Sequence, residues 1–153
     1  MARGSCACPP PRCRIARAEG REHHRIAIVA LPGLEPHTNA HDGLEHFAFT
    51  FASLDDLFDH YERMKARGVK PYWTINHGMT LSAYYRDPDG NQVETQVDSM
   101  SMAEADRFMN GPLFAANPIG IEVDFDDLVA RYRAGTPAAR IMDYGEAAAG
   151  KSR

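Results

Sequence analysis

His46 and Glu94 are the residues of this chain whose types and placement suit them to hold a metal ion. Both fall in stretches that alternate like strands. In residues 44–51, Phe47, Phe49 and Phe51 share one face, while His46, Ala48 and Thr50 share the other. In residues 91–97, Val93, Thr95 and Val97 point one way and Gln92, Glu94 and Gln96 the other. Taken singly, each has an ordinary reading. A strand glutamate can face water, and a lone strand histidine is more often a hydrogen-bonded core residue than a ligand. Together they stand opposite the apolar rows of the first and last strands of one unit. If the sheet curls, both point into one concavity. Two histidines and one carboxylate with open positions is the donor set of non-haem iron(II) oxygenases, and the same donors suit manganese, zinc or nickel.

The elements that must position this pair can be read from pattern. Residues 24–31 are Ile- and Val-rich and predict a buried strand; residues 32–43 predict a loop. After the strand at 44–51, Ser53 with Asp56 predicts a helix start. Leu54, Leu57, Phe58, Tyr61 and Met64 keep helical spacing on one stripe, and Gly68 ends it. The three phenylalanines belong against that helix. Residues 69–75 and 80–86 predict strands, and Asp87-Pro88-Asp89-Gly90 a tight turn into the strand at 91–97. Residues 44–97 therefore read β-α-β-β-β. Ser101 with Glu104 predicts a short helix to about Asn110. Residues 111–123 read as extended and irregular, and 124–134 as a final helix ended by Gly135, followed by a flexible tail over 136–153.

The chain has 153 residues, 44% hydrophobic and 25% charged, which fits one soluble globular domain. A net charge of −4 leaves no basic surplus for phosphates, so a nucleic-acid binder is not expected. No apolar run is long enough for a membrane helix. Cys6, Cys8 and Cys13 are the three cysteines, all near the start, which gives no disulfide framework and predicts a reducing, cytoplasmic location. Three thiols among Pro9, Pro10 and Pro11 fall short of the four ligands of a closed zinc site. Residues 1–22 read as a disordered leader.

The stretches GLEHFAFTFASLDDLFDHYERMKARGV and NHGMTLSAYYRDPDGNQVETQVD resemble a vicinal-oxygen-chelate module. This is the metal-site fold of the glyoxalase, bleomycin-resistance and extradiol-dioxygenase superfamily. The YYRDPDGNQVE run is specific to that superfamily, and NHG with Ser82 looks more like the biphenyl-2,3-diol 1,2-dioxygenase-like branch. FAANPIGIEVDFDDLVARYRAG is similar to a tail found in such proteins, so the resemblance covers about residues 22–135, with the domain placed at 23–135. It implies an α+β fold with His46 and Glu94 as metal ligands. It further implies His24 (beside His23), His77 and Tyr84 as catalytic residues. The implied cofactor is Fe(2+), with Mn(2+), Zn(2+) or Ni(2+) as alternatives. The implied reactants are a catechol-type aromatic diol and dioxygen.

The chain departs from the family in having one complete module preceded by a single convincing strand. The family's other metal histidine belongs on an earlier strand, where this chain has MARGSCACPPPRCRIARAEG. The expectation is an N-terminal truncation with an exposed sheet edge, which a homodimer could cover. His23, His37 and His41 are spare candidates for a third ligand; His60, on the helix, is badly placed for it. Two other functions stay open: a non-catalytic ligand-binding member, and a glyoxalase-type lyase or isomerase.

Overall fold

The computed structural model describes residues 13–16, 26–29 and 44–150. The chain divides into two compact units, Met1–Pro36 and His37–Arg153. In the first, β1 (Cys13–Ala16) pairs antiparallel with β2 (Ile26–Val29), Cys13 lying opposite Val29. β2 lies within the strand expected at 24–31. β1 falls inside the stretch read as a disordered leader, so part of that stretch is strand. Its four residues contain one β-branched side chain, Ile15, which is too little for a strand period to show. His23, His24, His37 and His41 lie outside the described residues.

The second unit holds a five-stranded mixed sheet, β3 (His46–Thr50), β4 (Trp73–Asn76), β5 (Thr80–Arg86), β6 (Gln92–Asp98) and β7 (Ile121–Glu122), in the order β3-β6-β5-β4-β7. β3 runs parallel to β6, with Ala48 opposite Glu94; the other ladders are antiparallel. A parallel pair needs a crossover. Here it is α1 (Leu54–Ala66) followed by the β4–β5 hairpin, which completes the expected β-α-β-β-β order. Ser53 caps α1 by accepting from the Asp56 backbone N–H at 3.2 Å. The Asp87 carboxylate holds the turn into β6, accepting from the backbone N–H groups of Asn91 at 2.8 Å and Asp89 at 3.0 Å. Gly90 takes the positive φ of 88° that the turn requires.

One face of this sheet is the core. Leu81, Ala83, Tyr85 and Val97 meet Leu54, Leu57, Phe58 and Tyr61 of α1 and Phe125, Leu128 and Val129 of α4 (Phe125–Arg133). Leu57 and Phe58 are fully buried. Burying one such side chain contributes about 1.5–3 kcal/mol. The Phe58 ring meets Phe125 and Tyr132 edge-on, both at 5.6 Å. Arg133, at the end of α4, reaches Asp55 and Glu62 of α1 at 3.1 and 2.8 Å, which ties the two helices together at the surface. The phenylalanine row only partly meets the expectation of a helix cover. Phe51 packs on the core, but Phe49 is 40% exposed.

The C-terminal part is more regular than its sequence suggests. α2 (Met102–Met109) is the expected short helix. The stretch read as irregular contains α3 (Pro112–Ala116), opened by Gly111 and Pro112, and the two-residue strand β7. The stretch read as a flexible tail contains α5 (Ala138–Ile141) and α6 (Tyr144–Gly150). Ile141 is buried, and Asn76 donates its side-chain amide to the Met142 carbonyl at 2.9 Å. Elements of four or five residues carry no readable period, and tertiary contacts decide them. No helix among the described residues is long and apolar enough to cross a membrane.

Candidate metal centre

The opposite face of the sheet carries the polar rows. Glu94 sits in the middle of β6, flanked by Ala48 on β3 and Tyr84 on β5. A small residue at Ala48 leaves room for His46, two positions earlier on the same face, to reach across. The neighbouring glutamines hold β3 to β6. Gln92 donates to the Glu45 carbonyl at 3.1 Å, and Gln96 to the Thr50 hydroxyl at 3.0 Å.

His46 Nε2 lies 3.1 Å from Glu94 Oε2, and His77 Nε2 lies 3.9 Å from Glu94 Oε1. Glu94 is buried, whereas the His46 side chain is about one-third exposed. A buried carboxylate is costly unless a cation or several donors face it. Among the described residues its ion-pair partners are these two histidines; no lysine or arginine pairs with it.

His77 sits in the hairpin between β4 and β5, where Gly78, with φ of 88°, allows the tight turn. Its Nδ1 lies 2.6 Å from the Ile119 carbonyl, which can only accept. Nδ1 therefore carries the proton, and in the neutral ring Nε2 keeps its lone pair. The Tyr84 hydroxyl lies 3.1 Å from that Nε2. This hydroxyl has one proton and two acceptors to choose from, His77 Nε2 and the Glu94 carboxylate. Burial first, then the charge of Glu94 and a hydrogen bond to it, push the Tyr84 pKa well above its ordinary range. The hydroxyl stays protonated at neutral pH.

The structure thus brings together four residues singled out in the sequence: His46, Glu94, His77 and Tyr84. It places His60 on the far side of the sheet, against Phe51 and Tyr85. Two contributors were missed. Trp73 stacks on Tyr84 with centroids 5.0 Å apart and meets His77 edge-on at 6.0 Å. Pairing the two strands about the His77-Gly78 turn would have placed Trp73 opposite Tyr84, its neighbour in the register. The other is the Ile119-Gly120 pair. A Cβ on Gly120 would lie 2.5 Å from the Asn76 carbonyl oxygen, and its φ is 112°, so only glycine lets this segment run close enough for Ile119 to hold His77. No short-range pattern in the sequence announces that contact.

An imidazole nitrogen and a buried carboxylate converge, the histidine side chain about one-third exposed, and both donor types suit a divalent transition metal. His46 and Glu94 fit as two ligands. His77 is engaged at both nitrogens and fits a supporting place better than a ligand's. Among the described residues no group of three His, Cys, Asp or Glu is assembled to hold a metal ion.

A β-α-β-β-β unit with a histidine on its first strand and a glutamate on its last, converging on one face, has the arrangement of a vicinal-oxygen-chelate module. The family model described as the Glyoxalase/Bleomycin resistance protein/Dioxygenase superfamily matches residues 13–95, and the chain belongs to that superfamily. The match begins at the first residue of β1. The chain is 45% identical over 125 residues to "Biphenyl-2,3-diol 1,2-dioxygenase 2" of Rhodococcus globerulus, covering 80% of this chain and 66% of that one. It is 39% identical over 135 residues to "Biphenyl-2,3-diol 1,2-dioxygenase 3" of the same organism, covering 86% and 70%. The chain thus spans about two thirds of the length of these relatives. No solved structure matches it.

Proposed function

We propose that this protein is an extradiol ring-cleaving dioxygenase acting on a catechol-type aromatic diol, with His46 and Glu94 as two ligands of Fe(2+). The observation that carries the reading is the convergence of His46 Nε2 and the buried Glu94 carboxylate at 3.1 Å. The names of its relatives support the reaction class. Fe(2+) held by His46 and Glu94 would supply Lewis-acid chemistry and open coordination positions for the reactants. The remaining steps belong to the chain's own residues. Tyr84, kept protonated by burial, donates a hydrogen bond to a diol oxygen. His77, its proton fixed on Nδ1 by Ile119, offers Nε2 as the base that takes a diol proton. Trp73 walls the side of Tyr84 and limits the orientations an aromatic ring can take there. His24 is the further acid–base candidate, and it lies outside the described residues.

The test is anaerobic iron loading with metal analysis, then 2,3-dihydroxybiphenyl, then air. A yellow ring-cleavage product is expected from the wild type. His46→Ala and Glu94→Gln are expected to lose both iron and product. If the wild type binds no iron and cleaves none of several catechols, the reading fails and a non-catalytic, ligand-binding member takes its place.

A further inference from the structure

His46 is the first residue of β3, and β3 is an end strand of its sheet. Among the described residues its backbone is paired on one side alone, by β6. Strand ends held this way fray, which is a poor mount for a ligand that must keep its place. Gln92, opposite His46 in the register, adds what the ladder lacks there. Its side-chain amide donates to the Glu45 carboxylate at 2.6 Å and to the Glu45 backbone carbonyl at 3.1 Å. The hold of β6 on β3 is thereby carried one residue ahead of His46.

The Gln92 amide has one workable orientation. Both Glu45 oxygens are acceptors, so the NH2 group faces them and both its protons are used. Oε1 then faces the Tyr72 hydroxyl, which has to be the donor. Partial burial first, with the charges of Glu45 and Glu94 and against that of Arg86, raises the Tyr72 pKa, so the proton is there to give. Tyr72 is itself fixed. Its backbone N–H donates to the Tyr84 carbonyl at 2.9 Å, and the Arg86 guanidinium lies over its ring, 4.7 Å from the centroid. The Tyr72 side chain thus runs from the start of β4 over β5 to β6, across the face that carries His46 and Glu94. Gln96 makes the comparison. It stands two residues after Glu94, as Gln92 stands two before it, and it donates to the Thr50 hydroxyl at 3.0 Å. Thr50 is the end of β3 away from His46, and the backbone there is already tied, Phe51 N–H donating to the Gln96 carbonyl at 2.7 Å.

We propose that Gln92, oriented by Tyr72, is a positioning residue that fixes His46 through Glu45. Its consequence for metal binding rests on the reading of His46 and Glu94 as ligands. Groups that orient a ligand without touching the metal change affinity by roughly 10–100-fold when removed. Gln96, the matching glutamine at the other end of the strand, has no such part.

The test uses the full chain and two readouts. The first is Fe(2+) affinity, measured without oxygen. Gln92→Leu is expected to weaken it about tenfold. Tyr72→Phe, which removes only the donor that orients the amide, is expected to weaken it about threefold, the scale of one neutral hydrogen bond. Gln96→Leu is expected to leave it unchanged. The second readout is backbone NMR relaxation at His46 in the metal-free chain. The order parameter is expected near the rigid value of about 0.85 in the wild type and in Gln96→Leu, and to fall toward about 0.6 in Gln92→Leu. Equal losses of Fe(2+) affinity in Gln92→Leu and Gln96→Leu overturn the proposal, because both would then act only by fastening two strands. So does a His46 that stays equally ordered in Gln92→Leu. An unchanged affinity in Tyr72→Phe overturns the part given to Tyr72. If the wild type binds no Fe(2+), the ligand reading fails, and the relaxation at His46 alone decides whether Gln92 positions it.

Discussion

Tyr84 and Tyr85 are consecutive residues of β5, both nearly buried, and they face opposite sides of one sheet. The Tyr84 hydroxyl meets His77, which in turn is held by a backbone carbonyl. The Tyr85 hydroxyl meets nothing among the described residues, while its ring joins the core. The same strands therefore answer to two different physical demands. On the helix face, shape and apolar area decide, and a polar atom is left over. On the other face, donor and acceptor positions decide, and each polar atom is aimed by another. Substitutions on the helix face should act through stability. Substitutions on the site face should act through the position of a proton or a ligand, with less effect on the fold.

The strongest way to test the contrast is to open a hole on the helix face. Phe58 is fully buried and touches α4 through Phe125 and Tyr132. Phe58→Ala is expected to reduce unfolding free energy by about 3–5 kcal/mol, the range for a buried aromatic cut to alanine. Denaturant titration measures it as a lowered midpoint with little change in slope. A loss below about 1 kcal/mol would mean that this face does not depend on packing in the way the contrast requires.

A smaller effect is expected from a residue that serves the site face at a distance. Gly120→Ala puts a methyl group 2.5 Å from the Asn76 carbonyl oxygen at a backbone φ of 112°. Strain of this kind costs about 1–3 kcal/mol. The informative readout is local. The His77 Nδ1–H, whose nitrogen lies 2.6 Å from the Ile119 carbonyl oxygen, is expected to give a downfield NMR signal in the wild type that weakens or vanishes in the variant. A variant with lowered stability and an unchanged His77 signal would show that Gly120 serves only the fold.

The two faces were also unequally legible in the sequence. Strict alternation placed His46 and Glu94 opposite their apolar rows, and the Asp-Pro-Asp-Gly turn marked the hairpin between β5 and β6; Tyr84, offered by the family resemblance, lies opposite Glu94 in that hairpin. These are short-range signals with a fixed period. What could not be read depends on contacts far apart along the chain. Ile119 reaches His77 through a two-residue strand, and α5 is set by the burial of Ile141 rather than by any period of its own. The apolar face of β3 is a further case. The phenylalanine row correctly predicts an apolar face, but the reach of α1 across it depends on how the helix sits on the sheet. Phe51 is covered and Phe49 is not.

The smallest expected effect compares two histidines across the sheet. His77 is hydrogen-bonded at both ring nitrogens, while His60 is packed by rings, with Phe51 5.1 Å and Tyr85 6.1 Å away. Burial, with help from Arg63, sets the His60 pKa below its ordinary value of about 6.5. The sign follows from proton counting. As pH falls below about 6.5, the unfolded chain takes up a proton at this residue before the folded one does, so stability drops in that window. His60→Gln removes this uptake. Denaturation midpoints measured between pH 7.5 and 5.5, on the order of one unit either side of that value, should fall less steeply for His60→Gln than for the wild type. Identical slopes would mean that the ring packing around His60 admits its charged form. The helix face would then be less hostile to charge than the contrast with the site face demands.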